Sequence, residues 1–203
     1  RALQAAGRYA EIPPLADQLV KRKVYGAQEG EYVRAAAHAE ALVAHIHDAA
    51  GLRAYWSRLS DAEQRLPKIA RAGARGFLAL GGDREAAEIL ARSLERHWDS
   101  DLVVRYAECR TPDSTRQLEQ AERWLVDHHQ DPALLYALGL LCHRQQLWGK
   151  AQTYLEASLA LDSGYRTHVA LGELFARLGR HDQASAHLAA ALTLALAELD
   201  SPG

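Results

Sequence analysis

The feature that most constrains this chain is a stretch that copies itself. From Leu135 it reads Leu135-x2-Leu138-Gly139-x2-Cys142, then Ala151-x3-Leu155-x2-Ser158-Leu159. Thirty-three residues on it reads His168-x2-Leu171-Gly172-x2-Phe175, then Ala184-x3-Leu188-x2-Ala191-Leu192. A period of this size marks a supersecondary unit that cannot bury its apolar side alone and must stack on its neighbours. The spacings supply a mechanism. Gly139 and Gly172, each following a leucine (Leu138, Leu171), let the first helix of a unit approach its partner closely. Ala151 and Ala184 are small enough for the second helix to cross tightly. Leu155, Leu159, Leu188 and Leu192, four residues apart, then form the apolar stripe that the next unit covers.

This pattern resembles the tetratricopeptide repeat, a helix-turn-helix unit of about 34 residues. Alanine and leucine dominate the rest of the chain, and β-branched or aromatic alternation is missing, so strands have little support. The predicted fold is all-α: a tetratricopeptide-like right-handed superhelix of antiparallel helical hairpins. Breakers at Pro13-Pro14, Gly26 to Gly30, Gly51, Pro67, Gly81-Gly82, Pro112, Pro132, Gly149, Gly164 and Gly179 divide it into short helices. Weaker copies of the second helix occur at Ala86-x3-Leu90-x2-Ser93-Leu94 and Ala121-x3-Leu125. The reading is one helical-repeat domain over 1–203, with divergent hairpins over 1–60 and repeat-like hairpins at 61–99, 100–131, 132–163 and 164–199. Within the divergent part a helix is expected from Tyr32 to Ala49 and a short one from Leu52 to Leu59. The chain opens without methionine in what reads as the tail of a helix, Ala2 to Ala6, as a piece of a longer protein would.

Composition then narrows the function. The 203 residues are 48% hydrophobic and 25% charged, which argues against disorder. Twenty-four basic against 26 acidic residues lack the excess that nucleic-acid binding needs. No run approaches the roughly 18 apolar residues of a bilayer span. Cys109 and Cys142 allow one bridge at most and show no zinc spacing.

Catalytic motifs are absent from the sequence: no G-x-G-x-x-G, G-x-S-x-G or HExxH occurs, and Gly73-x2-Gly76 lies inside an Ala/Arg-rich helix. No catalytic or metal-ligating residue is assigned. Ten histidines are candidate ligands by residue type. His45 and His47 fall on different helix faces, His128 and His129 suit a helix end, and His38 with His45 makes a two-ligand candidate at best. Heme ligation would draw on His143 or Cys142, but Cys142 holds a packing position that suits a buried thiol. Partner binding is assigned to two features. Lys68, Arg71 and Arg75, extended by Arg65, form a basic stripe suited to an acidic segment or a lipid headgroup, against the alternative of a solvated face. Trp148 either staples its turn or anchors a partner.

One segment is more specific than a generic repeat. Leu134-Leu135-Tyr136-Ala137-Leu138-Gly139-Leu140-Leu141-Cys142, followed by Gln146-Leu147-Trp148-Gly149-Lys150-Ala151, resembles the C-terminal region of the proteobacterial HemY family. Trp98-Asp99-x2-Leu102-Val103, Ala121-Glu122-x-Trp124-Leu125 and Tyr55-Trp56-x2-Leu59 extend the resemblance over about residues 50 to 195. It implies a non-catalytic protein–protein interaction scaffold tied to late protoheme IX synthesis. N-terminal membrane segments absent from this sequence would hold it at the bacterial inner membrane, with this domain on the cytoplasmic side. The implied partners are membrane-associated enzymes such as ferrochelatase or protoporphyrinogen oxidase. No cofactor is expected; a heme or porphyrin carried in the concave groove is the alternative function.

Overall fold

In the computed structural model, residue 3 and residues 6–200 are described; Ala2, Gln4 and Ala5 of the expected opening helix lie outside them. Among these residues the regular structure is helical: a 3-10 turn at Tyr9–Glu11 and twelve α-helices. These are α1 (Ile12–Lys21), α2 (Ala27–Ala44), α3 (Ala49–Trp56), α4 (Asp61–Gln64), α5 (Pro67–Ala79), α6 (Asp83–Leu94), α7 (Ser100–Glu108), α8 (Ser114–His128), α9 (Pro132–Arg144), α10 (Trp148–Leu161), α11 (Tyr165–Arg177) and α12 (His181–Asp200). The chain divides into two compact units, Arg1–Leu102 and Val103–Gly203.

In the first unit α2 packs on α1 and α5, and α5 also packs on α6, α3 and α4. In the second, α9 packs on α8 and α10, α10 on α11, and α11 on α12. Proline sits in the first turn of α1, α5 and α9, where its missing N–H deprives the helix of nothing.

Four hairpin turns share one device. Lys23, Gly81, Gln146 and Gly179 all adopt left-handed backbone, with φ between 60° and 75°. The N–H of the following residue then reaches back to the last turn of the first helix: Val24 to Leu19 O, Gly82 to Phe77 O, Leu147 to Cys142 O and Arg180 to Phe175 O. This closure satisfies carbonyls that a helix end would leave exposed. The cores are buried aliphatic side chains: Leu42, Leu52, Ile69 and Leu90 in the first unit, Leu138, Leu141, Leu155, Leu171 and Leu174 in the second.

Some expected boundaries move. The helix predicted over Tyr32 to Ala49 runs Ala27–Ala44, because Gly30 is not a breaker. It lies inside α2, where a Cβ would come 2.2 Å from Val20 Cγ2, so its bareness admits α1. Gly26 precedes the helix instead, its N–H bonded to Glu29 at 2.9 Å. Gly51 and Gly149 likewise lie within the first turns of α3 and α10. Asp48 starts α3 by accepting the Gly51 N–H at 2.9 Å, which shifts that helix to Ala49–Trp56.

Candidate functional site

The repeat residues meet as closely spaced contacts within hairpins. At Gly139 a Cβ would lie 2.5 Å from Leu155 Cγ and 3.5 Å from the Ala151 carbonyl oxygen. At Gly172 the corresponding distances are 2.8 Å to Leu188 and 3.4 Å to Ala184. Leu138, Ala151, Leu155, Leu171 and Ala184 are buried. Leu188 differs: it touches Gly172, yet it is 45% exposed, and Leu192 is 63% exposed. Among the described residues no further helix covers that stripe.

The basic stripe on α5 is largely committed within the first unit. Arg71 Nη2 lies 3.2 Å from Asp99 Oδ2 and 3.4 Å from Asp101 Oδ2. Lys68 Nζ sits 4.7 Å above the Tyr32 ring, and Arg65 pairs with Asp61 at 2.7 Å. Arg75 remains exposed and makes no ion pair among the described residues. Trp148 is half-buried against the preceding helix, edge-on to His143 with ring centroids 5.3 Å apart. Cys142 is fully buried, and burial pushes its thiol up to about 11. Burial also lowers His143. His38 and His45 both lie beside Tyr55, their rings 6.0 and 6.1 Å from its ring. Among the described residues no three His, Cys, Asp or Glu side chains group where they could hold a metal ion.

Not legible in the sequence is a cleft of about 780 Å³ in the first unit, lined by both charged and apolar side chains of α1, α2 and the α4–α5 segment, with Arg96 and His97. His38 forms its inner wall, only 8% exposed, with Nδ1 3.0 Å from the Tyr55 hydroxyl and Nε2 3.5 Å from Glu63 Oε1. Burial lowers the His38 pKa, and the nearby Glu63 carboxylate only partly offsets this. Burial also acts on Glu63, pushing its carboxyl up. Hydrogen bonds from the Ser60 N–H (2.8 Å) and hydroxyl (2.7 Å), with the charges of His38 and Arg34, outweigh it and hold Glu63 below its ordinary range. At the rim Arg34 pairs with Asp17 at 2.6 Å, while Asp61 is shared between Arg65 and Arg92. The cleft therefore carries paired charges of both signs at its rim.

The second unit carries a polar cluster of another kind. Gln117 donates to the Tyr106 and Cys109 carbonyls at 2.6 and 3.1 Å, and Arg144 donates to Cys109 O at 2.8 Å and Ala107 O at 2.6 Å. These side chains cap the end of α7, where the left-handed turn of the other hairpins is missing. Their role is closure of the hairpin.

The hairpins, their shared turns and the glycine–leucine contacts define an all-α, tetratricopeptide-like protein. Solved structures with this arrangement include a crystal structure of MamA, 14% identical over 75% of this chain and 91% of that one, with a TM-score of 0.54. The MamA RS-1 ArsTM double mutant is 16% identical over 93% of this chain and 94% of that one, also at 0.54. A further MamA crystal structure matches at 14% identity over 96% and 98%, with a TM-score of 0.51. At these identities the likeness is one of fold. No protein-family model matches the sequence, and a comparison with curated proteins finds no match. No helix among the described residues is long and apolar enough to cross a membrane.

Proposed function

We propose that this chain is a protein-docking scaffold whose first unit receives a polar segment of its partner in the cleft beside His38 and Glu63. The observation that carries the reading is the open cleft itself, about 780 Å³ in volume and walled by ion pairs whose members an incoming chain can replace. The tetratricopeptide-like frame supports it, since such stacks present extended surfaces held by rigid helices. The HemY resemblance supplies the finer reading: the partners are membrane-associated enzymes of late protoheme synthesis, and membrane segments of the full protein keep the scaffold at the inner membrane. Such a scaffold passes a poorly soluble porphyrin between neighbours without performing chemistry on it.

The test is retention of ferrochelatase or protoporphyrinogen oxidase by the immobilised chain, compared with an R34E/R65E variant. The docking reading expects retention by the wild type and its loss in the variant, at unchanged circular dichroism. Equal retention by both removes the cleft from the function, and no retention of either enzyme removes the heme link. Titration with protoporphyrin distinguishes the carrier alternative, which requires a saturable change in porphyrin absorbance.

A further inference from the structure

Two histidines of the second unit meet across its last described hairpin. His168 on α11 and His187 on α12 are both half-buried, with Nδ1 atoms 3.0 Å apart and ring centroids 5.1 Å apart. The Phe175 ring lies beside them, 5.4 Å from that of His187. So short a nitrogen–nitrogen contact is a hydrogen bond only when one Nδ1 carries a proton and the other is bare. Two bare nitrogens would oppose their lone pairs; two protonated ones would oppose donors and like charges. The facing atoms therefore hold one proton between them. Among the described residues no third His, Cys, Asp or Glu joins the pair as a metal site would need.

The internal repeat shows that packing alone does not call for histidine here. One unit earlier the same two positions are Leu135, which is buried, and Tyr154, which is half-buried. Neither side chain titrates near neutral pH.

We propose that His168 and His187 form an acid-operated latch: one shared proton holds α12 on α11, and a second proton drives the imidazoles apart and loosens α12. The proposal is independent of the docking reading for the cleft, which lies in the first unit. Only residues 178–180 join the two helices, so α12 can lift at that turn. Burial lowers the pKa of His187, and the charge of His168 adds to this; Glu156 on α10 opposes both without cancelling them. In the turn, Arg180 sits 5.8 Å from the Phe175 ring and donates to Gln152 at 3.3 Å, which places a further positive charge near the pair. Of the other charged groups on α11, Glu173 and Arg177 bear on His143, and Arg166 on Tyr136. On α12 itself, His181 and Asp182 lie in the first turn and Glu198 and Asp200 in the last. Below the ordinary 6.5 the unfolded chain takes up a proton that the closed pair resists, so the seat of α12 weakens as pH falls. Above 6.5 the latch is complete.

Hydrogen exchange of the α12 amides in the 203-residue chain at pH 7.5 and pH 5, corrected for intrinsic rates, tests this. Between these values protection of α12 should fall at least about threefold more in the wild type than in H168L/H187Y, which installs the residues of the preceding hairpin. H187Q should match that double variant. H168Q keeps the half-buried imidazole at 187 and removes its charged neighbour, so His187, followed by imidazole NMR, should titrate at higher pH than in the wild type. At pH 7.5 the imidazole nitrogen shifts of the wild type should show one protonated and one bare Nδ1 in the pair. Circular dichroism verifies folding, and H187Q alone carries the exchange comparison if H168L/H187Y does not fold. An equal loss of protection in the wild type and H187Q, a His187 titration that H168Q leaves in place, or two bare Nδ1 atoms at pH 7.5 would overturn the proposal.

Discussion

The two units use glycine for different contacts. In the second unit Gly139 and Gly172 face the partner helix of their own hairpin, and each accepts a leucine from the following helix. In the first unit the position equivalent to Gly139 is Ala74, and the glycines of α5 sit beside it, turned elsewhere. A Cβ at Gly73 would lie 2.4 Å from the Trp56 ring, and one at Gly76 would lie 3.0 Å from Leu52. Both point at α3, the short helix of the divergent region. Bare backbone thus tightens the hairpin in one unit and admits an additional helix in the other. The serine contacts, by contrast, are shared: Ser93 Oγ donates to Arg65 O and Ser158 Oγ to Pro132 O, each at 2.8 Å. Each ties a second helix to the start of the first.

The glycine contrast can be broken by adding one methyl group. Alanine at position 139 would collide with Leu155 at its Cγ, and that side chain is fully buried, so the backbone must move. Overpacking of this kind costs about 1 to 3 kcal/mol, and the better helix propensity of alanine returns up to about 1. G139A should destabilise the second unit by about 2 kcal/mol in urea unfolding. G73A should cost less, because the half-buried Trp56 ring can swing outward. G172A should cost least, since Leu188 is 45% exposed and can turn away. Equal effects at 139 and 172 would show that exposure of the facing leucine is irrelevant.

The serine pair sharpens the comparison from the other side. S93A and S158A each remove one buried hydroxyl bond to a carbonyl and should each cost about 1 kcal/mol. A large difference between them would mean that the two contacts are not the same device. The turns come next. Gln146 holds the left-handed position that glycine fills at 81 and 179. Q146G should therefore raise the melting temperature of the second unit, through relief of about 1 kcal/mol of backbone strain.

Legibility in the sequence followed the range of the interaction. Helix class was readable because it depends on spacings within one hairpin; Leu155 and Leu188, expected in a stripe that the next unit covers, instead meet Gly139 and Gly172 of their own hairpins. Gly30, Gly51 and Gly149 were misread as breakers: composition shows a missing side chain and not whether a neighbour needs its space. The basic stripe was visible as spacing, but Asp99, Asp101 and Tyr32, which engage Arg71 and Lys68, come from other helices. The cleft was invisible for the same reason. His38, Tyr55 and Glu63 follow no periodic relation, and only the packing of α2 against α3 and the α4–α5 segment brings them together.

The smallest expected effect concerns that cleft and acid. Burial holds the His38 pKa below the ordinary 6.5, so the folded protein binds this proton less tightly than the unfolded chain does. Below pH 6.5 the unfolded state therefore carries more protons, and stability falls as pH drops through the interval down to the folded pKa. Above pH 6.5 the contribution is complete. Glu63 shifts in the same direction from its own ordinary 4.5, so its stabilisation is lost only at lower pH and the interval between the two isolates the histidines. His143 and His187 are lowered too, but they belong to the second unit. The measurement is the urea midpoint of each unit at pH 7.5 and pH 5, followed by tryptophan emission, with H38Q alongside. The substitution should flatten the pH response of the first unit and leave that of the second unchanged. Flattening in both would place the acid sensitivity outside the cleft.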